Sequence, residues 1–272
     1  MSLRRVLRPK HPRNLKATLA VAAVMIAAWA LAAWWTPFSP KRGAGLAFGI
    51  GAALVFVFEM LYPARRPRAW PLRTAQAWVQ AHVYLGLLAL VAVLLHAGLR
   101  WPRGAMGWAL LLLSAWVTLT GLVGVWLQKW IPAALAEGLR IEALFERIPG
   151  LLADLVSEAD ALMQDASDTL EGFYRRDVRP ALSSLRPSWA FLLDVRAGRE
   201  RALEPFRRIA PFVEADEKPK VDDLMGLLAD KMELDAQYSL QRLLRRWLLV
   251  HVPPAGLLMA LLLVHVGAWL WY

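Results

Sequence analysis

Residues 81–98 read AHVYLGLLALVAVLLHAG, and residues 250–267 read VHVPPAGLLMALLLVHVG. Each is an apolar stretch bracketed by two histidines, His82 and His96 in the first, His251 and His265 in the second, fourteen residues apart in both. Fourteen residues of α-helix rise about 21 Å and turn about 1400°, roughly 40° short of four full turns. The two histidines of a stretch therefore share one helix face, one near each edge of a hydrocarbon layer about 30 Å thick. The spacing predicts two membrane-crossing helices, each with a polar ring near either end.

Composition agrees with a membrane bundle. The chain has 272 residues, 58% of them hydrophobic, with 14 Trp and no Cys. Without cysteine there are no disulfides, thiolate-held iron–sulfur clusters or covalently attached c-type haem. Five hydrophobic spans are predicted, near residues 17–35, 45–62, 75–99, 107–131 and 247–271. Each approaches or exceeds the roughly 20 apolar residues a spanning helix needs. Trp34, Trp35, Trp70, Trp101, Trp108, Trp130, Trp247 and Trp271 cluster near the span ends, as interfacial aromatic belts do. The fold expected is an all-α, polytopic bundle. Residues 1–132 hold a basic segment and four spans, 133–245 form an inserted soluble helical domain, and 246–272 form the fifth span.

Charge distribution orients this bundle. The net charge of +10 is not a nucleic-acid footprint, because 21 of the 22 acidic residues lie between Glu137 and Asp235. The insert holds 16 basic residues against those 21, a formal charge of −5, and the remainder is strongly basic. The N-terminal segment carries Arg4, Arg5, Arg8, Lys10, Arg13 and Lys16, and the second loop carries Arg65, Arg66, Arg68 and Arg73. The opposite loops hold only Lys41 and Arg42, then Arg100 and Arg103. The positive-inside bias places the N-terminus and the insert in the cytoplasm and the C-terminus outside, in a bacterial inner membrane. The third and fifth spans then run parallel, which levels His82 with His251 and His96 with His265.

Two histidines facing each other from neighbouring helices suit a haem iron, which takes axial ligands from both faces of its ring. The expected cofactors are two b-type haems, with axial pairs His82–His251 and His96–His265. A lone intramembrane His also serves as interhelical glue, and that reading leaves a haem-free membrane anchor as the alternative. Zinc is disfavoured, since it wants ligands clustered within a few ångströms, whereas the two histidines of one helix are about 21 Å apart. Pro253 and Pro254 loosen the helical phase of the fifth span, so His251 either lies within its helix or on the turn before it.

The third span followed by the fifth resembles the four-histidine, two-haem core of membrane cytochromes b, such as the cytochrome b subunit of quinol–cytochrome c reductases. The segment Arg245-Arg246-Trp247-Leu248-Leu249-Val250-His251-Val252-Pro253-Pro254 is similar to that family's aromatic, His, then Pro pattern. The resemblance implies bis-histidine haem binding and transmembrane electron transfer. It also implies that Gly86 and Gly267 give room for macrocycle edges. Arg73, Arg100 and Arg246, at the ends of the ligand helices, are candidates to meet haem propionates. Gln76, Gln80, Tyr84 and Glu59 are candidates for a cytoplasmic-side quinone pocket, although Glu59 could instead pair with a nearby arginine. Ser114, Thr118 and Thr120, with Gly121 and Gly124, give the fourth span a small polar face.

The insert reads as successive amphipathic helices, with Pro149-Gly150 separating two of them and Ser188 capping another. It contains no nucleotide-binding fingerprint, histidine or cysteine. A docking or scaffolding role is expected, with an acidic face toward a partner. The whole is expected to be the electron-carrying membrane subunit of an oxidoreductase complex. It would link the quinone pool or a cytoplasmic donor to a periplasmic cytochrome or reductase, surrounded by membrane lipid and without nucleic acid.

Overall fold

A computed structural model of the chain describes residues 12–60, 75–138, 144–195 and 198–271. Among these the regular elements are helical, and no strand occurs. Five helices are long and apolar enough to cross a membrane. We label them α1 (Pro12–Trp35), α2 (Gly43–Met60), α3 (Ala75–His96), α4 (Ala105–Gly138) and α9 (Lys218–Trp271). Between α4 and α9 lie α5 (Ile148–Leu162), α6 (Asp168–Phe173), α7 (Arg179–Leu182) and α8 (Arg199–Ile209). The chain divides into two compact units, one of residues 2–127 with 247–272, the other of residues 128–246.

In the first unit, α3 packs most extensively on α2 and next on α1. Phe58 of α2 stacks on Trp78 of α3 with ring centroids 5.5 Å apart, and Asn14 of α1 donates to Gln80. Large apolar side chains such as Leu19, Leu31, Leu54, Leu112 and Leu263 are exposed along the spans. That is the surface a helix presents to lipid, where water is absent and apolar exposure costs nothing. Helix α3 ends at Gly98, whose φ of +69° an L side chain rarely adopts. Ala97, Gly98 and Leu99 then return their N–H groups to carbonyls of the last turn.

The double proline of the fifth span does not start a helix. Helix α9 runs through Pro253 and Pro254, and His251 lies inside it. A proline at 254 withholds the N–H that would bond the carbonyl of Val250. Trp116 of α4 supplies a replacement, its indole Nε1 donating to that oxygen at 3.1 Å. Neighbouring helices commonly satisfy carbonyls freed by proline in this way.

The second unit has its own core, with Leu170, Phe173, Phe206 and Leu224 fully buried. Phe173 and Phe206 meet edge to face at 5.1 Å, a favourable aromatic geometry. Pro149-Gly150 falls in the first turn of α5 rather than between two helices. Proline's fixed φ is suited to a first turn, and its missing N–H is unbonded there anyway. Ser188 does cap, accepting from the Ala190 N–H, but the element is a short 3-10 turn over Trp189–Leu192. Asp160 accepts from Arg179 through both carboxylate oxygens, at 2.9 and 3.1 Å, and from the Tyr174 hydroxyl at 2.6 Å. These donors hold the Asp160 carboxyl below its ordinary range, and burial beside it pushes the Tyr174 phenol up.

Lys231 and Asp235 form a buried pair on α9, one helical turn apart, with Nζ donating to Oδ2 at 2.7 Å. Asp235 also accepts the backbone N–H of Arg186 at 2.9 Å. Burial pushes the lysine down and the aspartate up, while their hydrogen bond opposes both shifts. Removing one partner strands the other. Lys231→Met is expected to destabilise the protein by about 3–5 kcal/mol, and adding Asp235→Leu to recover most of that loss. Chemical denaturation of the full chain in detergent, followed by circular dichroism, reads both.

Candidate functional site

The four histidines of α3 and α9 come together as two pairs. The rings of His82 (α3) and His251 (α9) have centroids 6.2 Å apart and planes at 81°. Those of His96 (α3) and His265 (α9) are 6.4 Å apart at 85°. Helices α3 and α9 meet through these rings.

Hydrogen bonds from other helices fix the rings' protonation. His96 Nδ1 lies 2.8 Å from the carbonyl oxygen of Gly45 on α2. A carbonyl only accepts, so Nδ1 carries the proton and the lone pair resides on Nε2. His251 Nδ1 lies 3.0 Å from Thr120 Oγ1. The single hydroxyl proton of Thr120 goes to the carbonyl of Trp116 at 2.8 Å, which leaves its oxygen to accept from His251. His82 Nδ1 meets the carboxylate of Glu59, whose side chain is only 12% exposed. His96 and His251 are thus assigned the same tautomer, Nδ1 protonated and Nε2 bearing the lone pair. That is the form in which histidine binds a metal, oriented by a carbonyl, hydroxyl or carboxylate behind it.

Close helix approach makes these bonds reachable. A Cβ on Gly49 would stand 2.6 Å from His96 Nδ1 on α3, whereas a Cβ on Gly45 would meet the Ser39 carbonyl of the loop that leads into its own helix. The Gly45–Gly49 spacing is the small-xxx-small pattern that lets membrane helices touch. On α4, a Cβ on Gly124 would lie 1.9 Å from the Trp247 ring. That indole donates to the Thr120 carbonyl at 2.7 Å and stacks on His251 at 5.3 Å. Of the small polar face expected on α4, only Thr120 reaches a histidine; Ser114 and Thr118 return their hydroxyls to their own helix.

The remaining candidates are distributed differently. Gly86 and Gly267 have nothing within 4 Å of where a Cβ would stand. Arg100 is exposed in the turn after α3, while Arg246 is exposed and belongs to the second unit. Arg73 and the side chain of Gln76 lie outside the described residues. Of the quinone-pocket candidates, Gln80 accepts from Asn14 and Glu59 is engaged by His82. Among the described residues no group of three or more His, Cys, Asp or Glu could hold a metal ion by itself. Two facing imidazoles per site are a donor set for a metal whose remaining ligands come from a macrocycle.

The sequence does not indicate the Glu59–His82 pairing, the Gly45 carbonyl or the role of Gly49. The Gly45-xxx-Gly49 spacing was the available signal. Compared with family models, curated proteins and solved structures, the chain matches none.

The glycines separate into two classes that substitution can test. Gly49→Ala and Gly124→Ala force ring movement and are expected to destabilise by about 1–3 kcal/mol, as overpacking does. Gly86→Ala and Gly267→Ala, with open space at the Cβ, are expected to leave the melting temperature near that of the parent. Thermal unfolding in detergent compares the four.

Proposed function

We propose that this chain is a membrane cytochrome b. It holds one haem between His82 and His251 and a second between His96 and His265, and serves as the electron-carrying subunit of a redox complex. The observation that carries the reading is the approach of two ring pairs, with the Nδ1 atoms of His82, His96 and His251 in contact with other helices. A metal–imidazole bond is about 2.0 Å and a ring centre lies roughly 1.1 Å behind its nitrogen, so two imidazoles on one iron stand about 6.2 Å apart. The pairs stand at 6.2 and 6.4 Å. The residues present therefore fit the group.

Bound haem supplies one-electron exchange at an iron with both axial positions filled, which suits electron transfer rather than oxygen chemistry. The chain's own residues do the holding. Gly45 and Thr120 keep His96 and His251 in the coordinating tautomer, Glu59 pairs with His82, and Trp247 braces His251. Arg100 is the exposed cation near His96 suited to a propionate.

Two pairs about 21 Å apart along the helices give a path across most of a hydrocarbon layer about 30 Å thick. The charge bias supports an inner-membrane setting with the N-terminus and the 128–246 unit inside. That unit exposes Trp189, Leu193 and Phe212, apolar side chains suited to docking a redox partner.

A dithionite-reduced minus oxidised spectrum, with haem counted per chain as the pyridine haemochromogen, tests the proposal. Two b haems per chain are expected, with His82→Ala and His96→Ala each removing a different one. A colourless protein, expressed with haem supplied, would contradict the reading.

A further inference from the structure

The two histidine pairs are alike in spacing but differ in what stands behind them. His96 Nδ1 donates to a neutral carbonyl, that of Gly45, at 2.8 Å. His82 Nδ1 meets a carboxylate, that of Glu59, on the same neighbouring helix and largely shielded from solvent. Glu59 is also the one acidic residue of the chain outside the 137–235 stretch. A carboxylate inside an apolar layer is costly and is retained where it has a specific partner.

Its chemical effect on the ring is directional. An imidazole N–H bonded to a carboxylate loses proton density to the acceptor, which makes Nε2 a stronger electron donor, and outer-shell hydrogen bonding of this kind tunes a bound metal. The negative charge favours the more positive, oxidised state of a metal on that ring, and the low dielectric around it lengthens its reach. A carbonyl dipole does the same only weakly.

We infer that Glu59 is a potential-setting residue, holding the haem at His82–His251 at a lower potential than the haem at His96–His265. This rests on the haem reading above. The resulting gradient favours electron movement from the Glu59 end of the bundle toward the Gly45 end. With the orientation given by the charge bias, that is from the cytoplasmic side outward.

The test is a redox titration of the purified chain beside Glu59→Gln, with haem counted in both. The glutamine oxygen still accepts from Nδ1, so ring orientation persists while the charge is lost. Two haems per chain are expected in each protein. The lower midpoint should rise in the variant by at least a tenfold change in the reduction equilibrium, 59 mV for one electron, with the upper midpoint unmoved. In His96→Ala, the surviving step should be the lower one. Two haems with both midpoints unchanged would overturn the inference and leave the haem reading standing, whereas a colourless parent would remove both. If Glu59→Gln fails to hold haem, near-infrared magnetic circular dichroism of the oxidised parent decides. One charge-transfer band displaced toward imidazolate ligation supports Glu59, and two bands at the neutral bis-imidazole position overturn it.

Discussion

A histidine ring in a hydrocarbon layer must have its N–H bonded, because no water is there to take it and an unsatisfied polar group costs several kcal/mol. Much of the membrane unit is arranged to meet that requirement. Helix α2 comes close enough to α3 for the Gly45 carbonyl to reach His96, which glycine at 49 permits. Helix α4 comes close enough to α9 for Thr120 to reach His251, which glycine at 124 permits by admitting the Trp247 ring. The supporting helices α2 and α4 thus serve Nδ1 of His96 and of His251.

The same accounting explains how α9 stays helical through two prolines. Pro254 frees the carbonyl of Val250, and Trp116 takes it up from α4. The indole of Trp247 donates in the opposite direction, from α9 to the Thr120 carbonyl of α4. These two indole bonds fasten α9 to α4 in the turn that precedes His251. They hold the ring in place at the point where the proline pair would otherwise let the helix bend.

Helices and histidine pairs were legible in the sequence for physical reasons. A long apolar run can only be a helix when it must satisfy its own backbone, and two residues fourteen apart share a face whatever surrounds them. What lay outside the pattern were contacts between helices that are not neighbours in sequence. No spacing rule ties Glu59 to His82 or Gly45 to His96, because each depends on the rotation and depth of two separate helices. Local proline chemistry also read ambiguously. Pro149 suggested a break and instead opens α5, while Pro253 and Pro254 left open whether His251 lay within its helix or on the turn before it, and they sit within α9.

The perpendicular setting of the rings gives the account its most direct physical signature. The ring planes of the two pairs stand at 81° and 85°, and two imidazoles held at right angles across one ferric iron would leave its orbitals nearly degenerate. Electron paramagnetic resonance of the oxidised protein at liquid-helium temperature reads this directly. The account expects two highly anisotropic low-spin ferric signals, each dominated by one large g value, and each lost separately when His82 or His96 is replaced by alanine. High-spin iron, a rhombic spectrum of parallel ligands, or no iron signal in haem-supplied protein would contradict it.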